Sequence, residues 1–301
     1  MSGSLRVATR LLIGVAVVAV VAGGTVWLLG RDSGTAPSAT SPPPTSAAPT
    51  SAAPTAPPTT ASTTTTTTTP PGLRLPLVPR PARITWAGDS VAFTLHDAIA
   101  ATANARGVQV VDRTTPGCGM LRGEAADDNL VPFPLVAGCD GYVPGNLAAT
   151  AGAGGDTITW LSSWETSNRV VDGTGYVFGT PAGDAEILAL VDESVQRLTV
   201  NGARVVFLLD PPATTGSLRP QIDPIAQERM LHLGDLLKQY AAAHPDRAGV
   251  IDLTPIVCPG GTPCAPVVDG VTLRSEDGGH FTPEGAAWLA PRIIDRLVGP
   301  A

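Results

Sequence analysis

Five short apolar runs, most of them separated by helical patterns, constrain the fold of this sequence more than any other feature. The runs are residues 84–86, 108–112, 157–162, 205–210 and 249–252, and the helical patterns cover 91–106, 184–200, 224–243 and 283–298. The fourth run is continuously apolar, as expected of a strand covered on both faces. Strands that alternate with helices pair in parallel through right-handed crossovers. The sequence therefore predicts an α/β fold, a three-layer sandwich around a mainly parallel five-stranded sheet.

Two stretches interrupt this alternation. Residues 118–156 and 170–183 are rich in Gly, Pro and Asp. We interpret both as long surface excursions over the carboxyl edge of the sheet. Loops of that length without regular structure are often functional.

The N-terminal region predicts a membrane anchor. Residues 11–29 form an uncharged run of nineteen, which at about 1.5 Å per residue just spans a ~30 Å hydrocarbon core. Arg6 and Arg10 precede the run, so the positive-inside rule places residues 1–10 in the cytoplasm. The alternative is a cleaved signal peptide, although the run is long for one and no clear cleavage site follows.

A low-complexity segment separates this run from the rest of the chain. Residues 30–72 consist mostly of Pro, Thr, Ser, Ala and Gly, with a threonine run at 63–69. Such a composition has nothing to bury, and it predicts a disordered, semi-extended linker. Residues 73–301 have the length of one domain and suffice for an α/β core. We expect this domain to lie outside the cytoplasm.

The charge balance limits the possible partners. The whole chain carries a formal net charge of −7, and Arg6, Arg10, Arg31 and Asp32 together contribute +2, so the part after Asp32 carries −9. An acidic domain has no electrostatic footprint for nucleic acid. The sequence also has no phosphate-binding loop, zinc-protease motif or EF-hand loop, so we predict neither a cofactor nor a metal.

Four cysteines all lie in the outer domain: Cys118, Cys139, Cys258 and Cys264. An even count outside the cytoplasm indicates disulfides, for which three pairings exist. We favour the local pairing, Cys118 with Cys139 and Cys258 with Cys264. A zinc site is the alternative, but no Cys-x-x-Cys occurs and no His stands at ligand spacing from a Cys.

Ser90 follows the first predicted strand in a Gly88-Asp-Ser90 turn that opens a helix. Such a turn lifts one hydroxyl to the carboxyl edge of a parallel sheet, at a helix N-terminus that favours a developing anion. Alone, this pattern is more typical of a serine that caps a helix. Asp277 and His280, three residues apart before the last predicted helix, change that interpretation. This spacing lets the carboxylate orient the imidazole, which predicts a triad of Ser90 as nucleophile, His280 as base and Asp277.

These motifs resemble those of the SGNH, or GDSL-like, hydrolase superfamily. The resemblance covers about residues 83–297 and is carried by three blocks: Ala87-Gly-Asp-Ser90, Val110-Val-Asp-Arg-Thr-Thr-Pro-Gly117-Cys118 and Asp277-Gly-Gly-His280-Phe-Thr-Pro-Glu-Gly-Ala286. It implies a flavodoxin-like fold and the same three catalytic residues. It also implies an oxyanion hole formed by the backbone N–H groups of Ser90 and Gly117, with Gly119 as the alternative donor.

The block after the third strand departs from the superfamily, which usually has Gly-x-Asn-Asp there. This chain has Ser162-Ser-Trp164-Glu165-Thr-Ser-Asn168-Arg169, which is similar to the branch that accompanies membrane acyltransferases of surface polysaccharides. We do not expect Asn168 to replace the missing Asn. Trp164 is either a core aromatic or a platform for a sugar ring. Glu165 and Arg169 either pair with each other or bind substrate.

The sequence thus predicts a membrane-anchored, extracytoplasmic serine esterase or O-acyltransferase acting on cell-envelope carbohydrate, with acetyl as the expected acyl group. A single span carries no acyl donor across a bilayer, so transfer would require a partner such as a multi-spanning membrane acyltransferase. The alternative is a non-catalytic glycan-binding or scaffolding module on the same fold. A lipase is disfavoured because the predicted loops are not strongly apolar.

Overall fold

The structure, a computed structural model, describes residues 81–300. The predicted cytoplasmic segment 1–10, anchor 11–29 and linker 30–72 lie outside the described residues. Within residues 81–300, no helix has the length and apolar character needed to cross a bilayer.

Ten strands and six α-helices make up residues 81–300. The strands are β1 (Arg83–Gly88), β2 (Gln109–Thr114), β3 (Glu124–Ala126), β4 (Thr157–Leu161), β5 (Asn168–Val171), β6 (Thr174–Tyr176), β7 (Arg204–Leu209), β8 (Ala248–Asp252), β9 (Val267–Val268) and β10 (Val271–Thr272). The helices are α1 (Ser90–Asn104), α2 (Cys139–Gly152), α3 (Pro181–Leu198), α4 (Pro224–Ala243), α5 (Thr254–Val257) and α6 (Pro283–Val298).

The central sheet has five strands in the order β2-β1-β4-β7-β8, and every neighbouring pair is parallel. Alternate side chains of the strands enter two separate cores. Ile84 and Trp86 face α1 and α6 on one side, whereas Trp160 and Phe207 face α2, α3 and α4 on the other. The rings of Trp160 and Phe207 meet edge to face with centroids 5.3 Å apart. The predicted α/β sandwich with a parallel five-stranded sheet is confirmed.

The two predicted surface excursions contain regular structure, which corrects the sequence interpretation. Residues 118–156 include strand β3 and the fourteen-residue helix α2. Residues 170–183 include the hairpin of β5 and β6 and the first turn of α3. The glycines and Pro144 within α2 resembled a loop in the sequence. The helix forms because Val143 and Leu147 are buried in the core beneath it.

Both disulfides form within their own loops, Cys118 with Cys139 and Cys258 with Cys264. The predicted pairing is confirmed. The first bond ties the segment that follows β2 to the N-terminus of α2. The carboxyl edge of the sheet is thereby held by a covalent link beside the turn that contains Gly117.

Gly88 allows β1 and β4 to approach closely just before Ser90. Its φ is +145°, and a Cβ at this position would lie 1.8 Å from the Leu161 carbonyl oxygen. Gly107 also has a positive φ, +73°, but a Cβ there would meet nothing within 4 Å. Comparing an alanine substitution at Gly88 with one at Gly107 therefore separates the energetic cost of the backbone conformation from that of the steric contact.

We expect Gly88→Ala to lower the free energy of unfolding by about 3–5 kcal/mol, because strain and overpacking add. The control Gly107→Ala should cost only about 1–2 kcal/mol, the conformational term alone. Urea unfolding of both variants measures the difference. Equal losses would mean that the Leu161 carbonyl does not restrict this position.

Candidate active site

The structure brings the three predicted catalytic residues together over the carboxyl edge of the sheet. The Oγ of Ser90 lies 2.8 Å from the Nε2 of His280, across 190 positions of sequence. The other ring nitrogen of His280, Nδ1, is hydrogen-bonded to the Oδ2 of Asp277. This is the order of contacts that a nucleophile, a base and an orienting carboxylate require.

The Asp277 carboxylate is held by more than the imidazole. Its Oδ1 accepts hydrogen bonds from the backbone N–H groups of Gly279 (2.9 Å) and His280 (3.0 Å) and from the Ser275 hydroxyl (2.8 Å). Partial burial by itself raises the pKa of Asp277, but the hydrogen bonds from His280, Gly279 and Ser275 outweigh it and hold the pKa well below its usual range. The carboxylate is therefore ionised and oriented at neutral pH.

Asp89 fixes the turn that presents Ser90. Its Oδ1 accepts a hydrogen bond from the Val91 N–H at 2.8 Å, which caps helix α1. Its Oδ2 reaches across to the end of β4 and accepts from the Ser163 N–H (2.7 Å), the Ser163 hydroxyl (2.9 Å) and the Ser162 hydroxyl (3.2 Å). A fully buried carboxylate with four donors locks the nucleophile turn to the neighbouring loop.

The turns after β1 and β2 carry the two backbone N–H groups that the family resemblance assigns to an oxyanion hole. The first bond within α1 runs from Phe93 N to Asp89 O, so the Ser90 N–H precedes the helical ladder. The turn containing Gly117 is brought beside it because Thr115 N donates to Gly88 O at 2.7 Å. The oxyanion role of Ser90 and Gly117 stays a prediction. The alternative donor, Gly119, packs against the Glu165 side chain, 2.8 Å from where a Cβ would lie.

Glu165 and Arg169, which the sequence predicts either to pair with each other or to bind substrate, are both buried. Glu165 is 0 % exposed and accepts from the Met120 N–H at 2.7 Å. Arg169 is 3 % exposed and donates to backbone carbonyls, among them those of Gly123 (3.0 Å) and Trp164 (3.2 Å). They form no direct ion pair within residues 81–300. Both side chains hold the loops around the site and lie away from its surface.

Asn168 is also buried and points away from the nucleophile, as expected. Its amide Nδ2 donates to the Asp127 carbonyl at 2.9 Å, and its Oδ1 accepts from the Phe178 N–H at 3.0 Å.

Trp164 is half-buried and packs on Phe133, with ring centroids 6.1 Å apart, beside the Cys118–Cys139 disulfide. The indole also lines the catalytic cavity, so the two interpretations of Trp164 are compatible.

A cavity of about 340 Å³ opens beside Ser90 and His280. Its lining comes from the segment 163–167, from the segment after β7 and from one face of α4. The apolar groups include Ala226 and Met230 on α4 and Ile222 just before that helix. Pockets of this kind, mostly apolar with a few placed polar groups, are typical of small-molecule sites.

A buried ion pair that the sequence analysis missed holds the His280 loop in place. The Arg274 guanidinium donates to Asp210 Oδ1 and to the Pro211 carbonyl, both at 3.1 Å, and to the Gly279 carbonyl. It also stacks over the Phe281 ring, 3.8 Å from the centroid. Arg274 thus joins the end of β7 to the residues on either side of His280 and acts as a positioning residue.

Asp210 lies in a low-dielectric environment at the end of the most apolar strand. Burial raises the pKa of Asp210 to about 6, although the charge and hydrogen bond of Arg274 oppose the shift. The position of Asp210 at the carboxyl end of β7 was the available signal for a site residue. For Arg274, the only signal in the sequence was its nearness to Asp277.

The parallel sheet, the serine turn and the facing Asp-x-x-His loop define the class of SGNH, or GDSL-like, hydrolase folds. The family model described as "SGNH domain (fused to AT3 domains)" matches residues 65–295. The chain belongs to this family. Its homologues in this family are esterases and acyltransferases. No curated protein matches the sequence.

Solved structures with a similar fold share little sequence with this chain. The periplasmic domain of a lipopolysaccharide acetyltransferase from Salmonella ser. Paratyphi A is 11 % identical, with a TM-score of 0.46 over 71 % of this chain and 84 % of that one. A GDSL-like lipase from Bacteroides thetaiotaomicron is 12 % identical (TM-score 0.41; 72 % and 85 %). The acetyl xylan esterase AlAXEase is also 12 % identical (TM-score 0.43; 70 % and 96 %). Similarities with identities and TM-scores this low do not indicate an activity or a substrate for this chain.

We expect Arg274→Met to lower the free energy of unfolding at about pH 8 by about 3–5 kcal/mol, because it leaves a buried carboxylate unpaired. The pKa of Asp210 is higher in the folded than in the unfolded state, so its protonation at low pH stabilises the fold. This stabilisation is lost as the pH rises through about 6. The destabilisation should therefore shrink towards about pH 5, where Asp210 is protonated. Urea unfolding at several pH values measures this trend.

Two further variants test the same ion pair. The double variant Asp210→Leu/Arg274→Met should recover most of the lost stability, since no charge is then left buried. Arg292→Met removes a more exposed arginine that stacks on Trp288 and should cost less than about 1 kcal/mol. A double variant no more stable than Arg274→Met would contradict the assignment of the loss to Asp210.

Proposed function

We propose that this protein is a membrane-anchored, extracytoplasmic serine esterase or O-acyltransferase that acts on cell-envelope carbohydrate. The observation that carries the proposal is the 2.8 Å contact between Ser90 Oγ and His280 Nε2, with Asp277 on the far side of the ring. Membership of a family described as fused to AT3 domains supports an acyl-transfer context. The expected acyl group is acetyl.

In the proposed first step, Ser90 Oγ attacks the carbonyl carbon of the ester and its proton passes to His280 Nε2. The Asp277 carboxylate stabilises the imidazolium that forms. The N–H groups of Ser90 and Gly117 would stabilise the tetrahedral oxyanion, each donor contributing about 3–4 kcal/mol. Collapse breaks the bond to the alcohol, which leaves with the proton from His280, and an acyl ester on Ser90 remains.

In the proposed second step, His280 deprotonates an incoming hydroxyl, which attacks the acyl-Ser90 ester. Water as the acceptor gives hydrolysis, and a glycan hydroxyl gives transfer. No side-chain amide from the Asn168 block reaches the nucleophile, because Asn168 is bound elsewhere. An oxyanion hole with fewer donors slows both routes and leaves the choice of acceptor to how the glycan binds.

The location and the partners belong to the same proposal. Residues 11–29 would anchor the protein, and residues 30–72 would hold the domain away from the membrane towards its glycan substrate. The chain would receive its acyl group from a multi-spanning membrane acyltransferase or from an acylated glycan.

A fluorophosphonate probe tests the chemistry directly. We expect the wild-type protein to be labelled and Ser90→Ala to remain unlabelled. Hydrolysis of 4-nitrophenyl acetate should fall on the order of 10³–10⁴-fold in Ser90→Ala and in Asp277→Asn, because the triad acts as a unit. Mass spectrometry after incubation with acetylated polysaccharide then distinguishes release of acetate from transfer.

Ser163→Ala serves as a matched control because it removes a nearby hydroxyl that donates only to Asp89. It should remain labelled. A wild-type domain that is folded by circular dichroism, is not labelled and binds the polysaccharide would instead favour a glycan-binding module.

A further inference from the structure

The carboxylates that line the catalytic cavity all have partners within residues 81–300. Asp277 binds His280, Asp210 binds Arg274, and the Asp223 carboxylate caps α4 by accepting from two backbone N–H groups. The three carboxylates on the cavity wall therefore each have a partner.

Two further residues of the cavity lining have a donor without a protein partner in 81–300. Arg219 is exposed to solvent, and its guanidinium has no hydrogen bond or ion pair with any other residue in this range. The amide Nε2 of Gln227 is buried and likewise has no partner among these residues. Leaving a buried amide donor unpaired costs on the order of 1–3 kcal/mol. An acceptor supplied by a ligand would remove that cost.

The backbone keeps Arg219 at a fixed place relative to the triad. Arg219 closes a turn with Gly216, in which each backbone N–H bonds the other carbonyl, at 2.8 and 3.1 Å. Within this turn, Leu218 N donates to the carbonyl of Glu276 at 2.8 Å, next to Asp277. A Cβ on Gly216 would lie 2.2 Å from that same carbonyl oxygen. The turn is therefore packed tightly against the catalytic loop.

Helix α4 places Gln227 on the same side of the cavity. Ala226 and Met230, one turn apart on α4, line the cavity, and Gln227 lies on this face beside Ala226. Ser90, these apolar side chains, Gln227 and Arg219 all line the same cavity. The cavity thus combines apolar surface with hydrogen-bond donors and a cation.

We propose that the α4 wall of the cavity binds a carboxylate carried by the substrate, with Arg219 and Gln227 as its donors. This inference rests on the proposed function and names its substrate class. A guanidinium donates two parallel hydrogen bonds to a carboxylate, and Arg219 has no carboxylate partner within residues 81–300 although the domain carries a net negative charge. The carboxylate is carried either by the acyl chain, as in a half-ester of a dicarboxylic acid, or by the glycan, as in a uronate.

Two pairs of substrates distinguish these sources. The acyl pair is the 4-nitrophenyl half-ester of succinate and 4-nitrophenyl pentanoate, a neutral ester of similar length. The glycan pair is acetylated polygalacturonate and its methyl ester. We expect a preference, measured as a ratio of kcat/KM, for the charged member of one pair. The preference should weaken with added salt.

Arg219→Gln should lower that ratio about ten-fold, because it removes a charge-assisted hydrogen bond. Gln227→Leu should lower it as well. Arg296→Gln removes the same charge from an exposed position on α6 and should leave the ratio unchanged. Free succinate or galacturonate should inhibit the wild type competitively, and more weakly the Arg219 variant.

The outcomes separate this inference from the proposed function. Ser90-dependent hydrolysis of the neutral esters, with no preference for a charged member in either pair, overturns the carboxylate site and leaves the esterase intact. A preference that Arg219→Gln and Arg296→Gln change equally also overturns it, since general charge would then be the cause. Absence of Ser90-dependent hydrolysis and of probe labelling removes both proposals.

Discussion

The pairing of β1 between β2 and β4 determines where the nucleophile and the turns beside it lie. Parallel strands end at the same edge, so the turns after β1, β2 and β4 deliver Ser90, Gly117 and Ser163 to one place. Gly88 permits the close approach of β1 to β4, and the Asp89 carboxylate then joins the two turns through four hydrogen bonds. The nucleophile is positioned by the sheet itself.

Buried charged residues also hold the loops around the site in place. Burial raises the pKa of Glu165 and lowers that of Arg169, so both groups lie where charge is costly. Each is held by backbone groups of the surrounding loops. Arg274 and Asp210 do the same for the loop that carries His280. The Arg274–Asp210 pair contributes little net stability, but losing one partner is expensive, so the pair specifies one arrangement of the His280 loop.

Much of this could be predicted from the sequence because it depends on local pattern. Alternating apolar runs and helical patterns predicted the parallel sheet, and the Gly88-Asp-Ser90 turn indicated where the nucleophile lies. Helix α2 could not be predicted because its glycines and Pro144 oppose helix formation locally, and only burial of Val143 and Leu147 overcomes them. The roles of Glu165, Arg169 and Arg274 were also hidden, since a charged residue in a loop carries no sign of burial.

The segment between β7 and α4 is attached to the catalytic loop at two points. Thr214 N donates to the Gly278 carbonyl, and Leu218 N donates to that of Glu276. Gly216 and Gly278 leave no space for a Cβ at these contacts. The backbone therefore ties the wall that faces the substrate to the base that acts on it. An insertion between Thr214 and Leu218 would disturb both at once, whereas side chains along α4 can be exchanged without touching these two contacts.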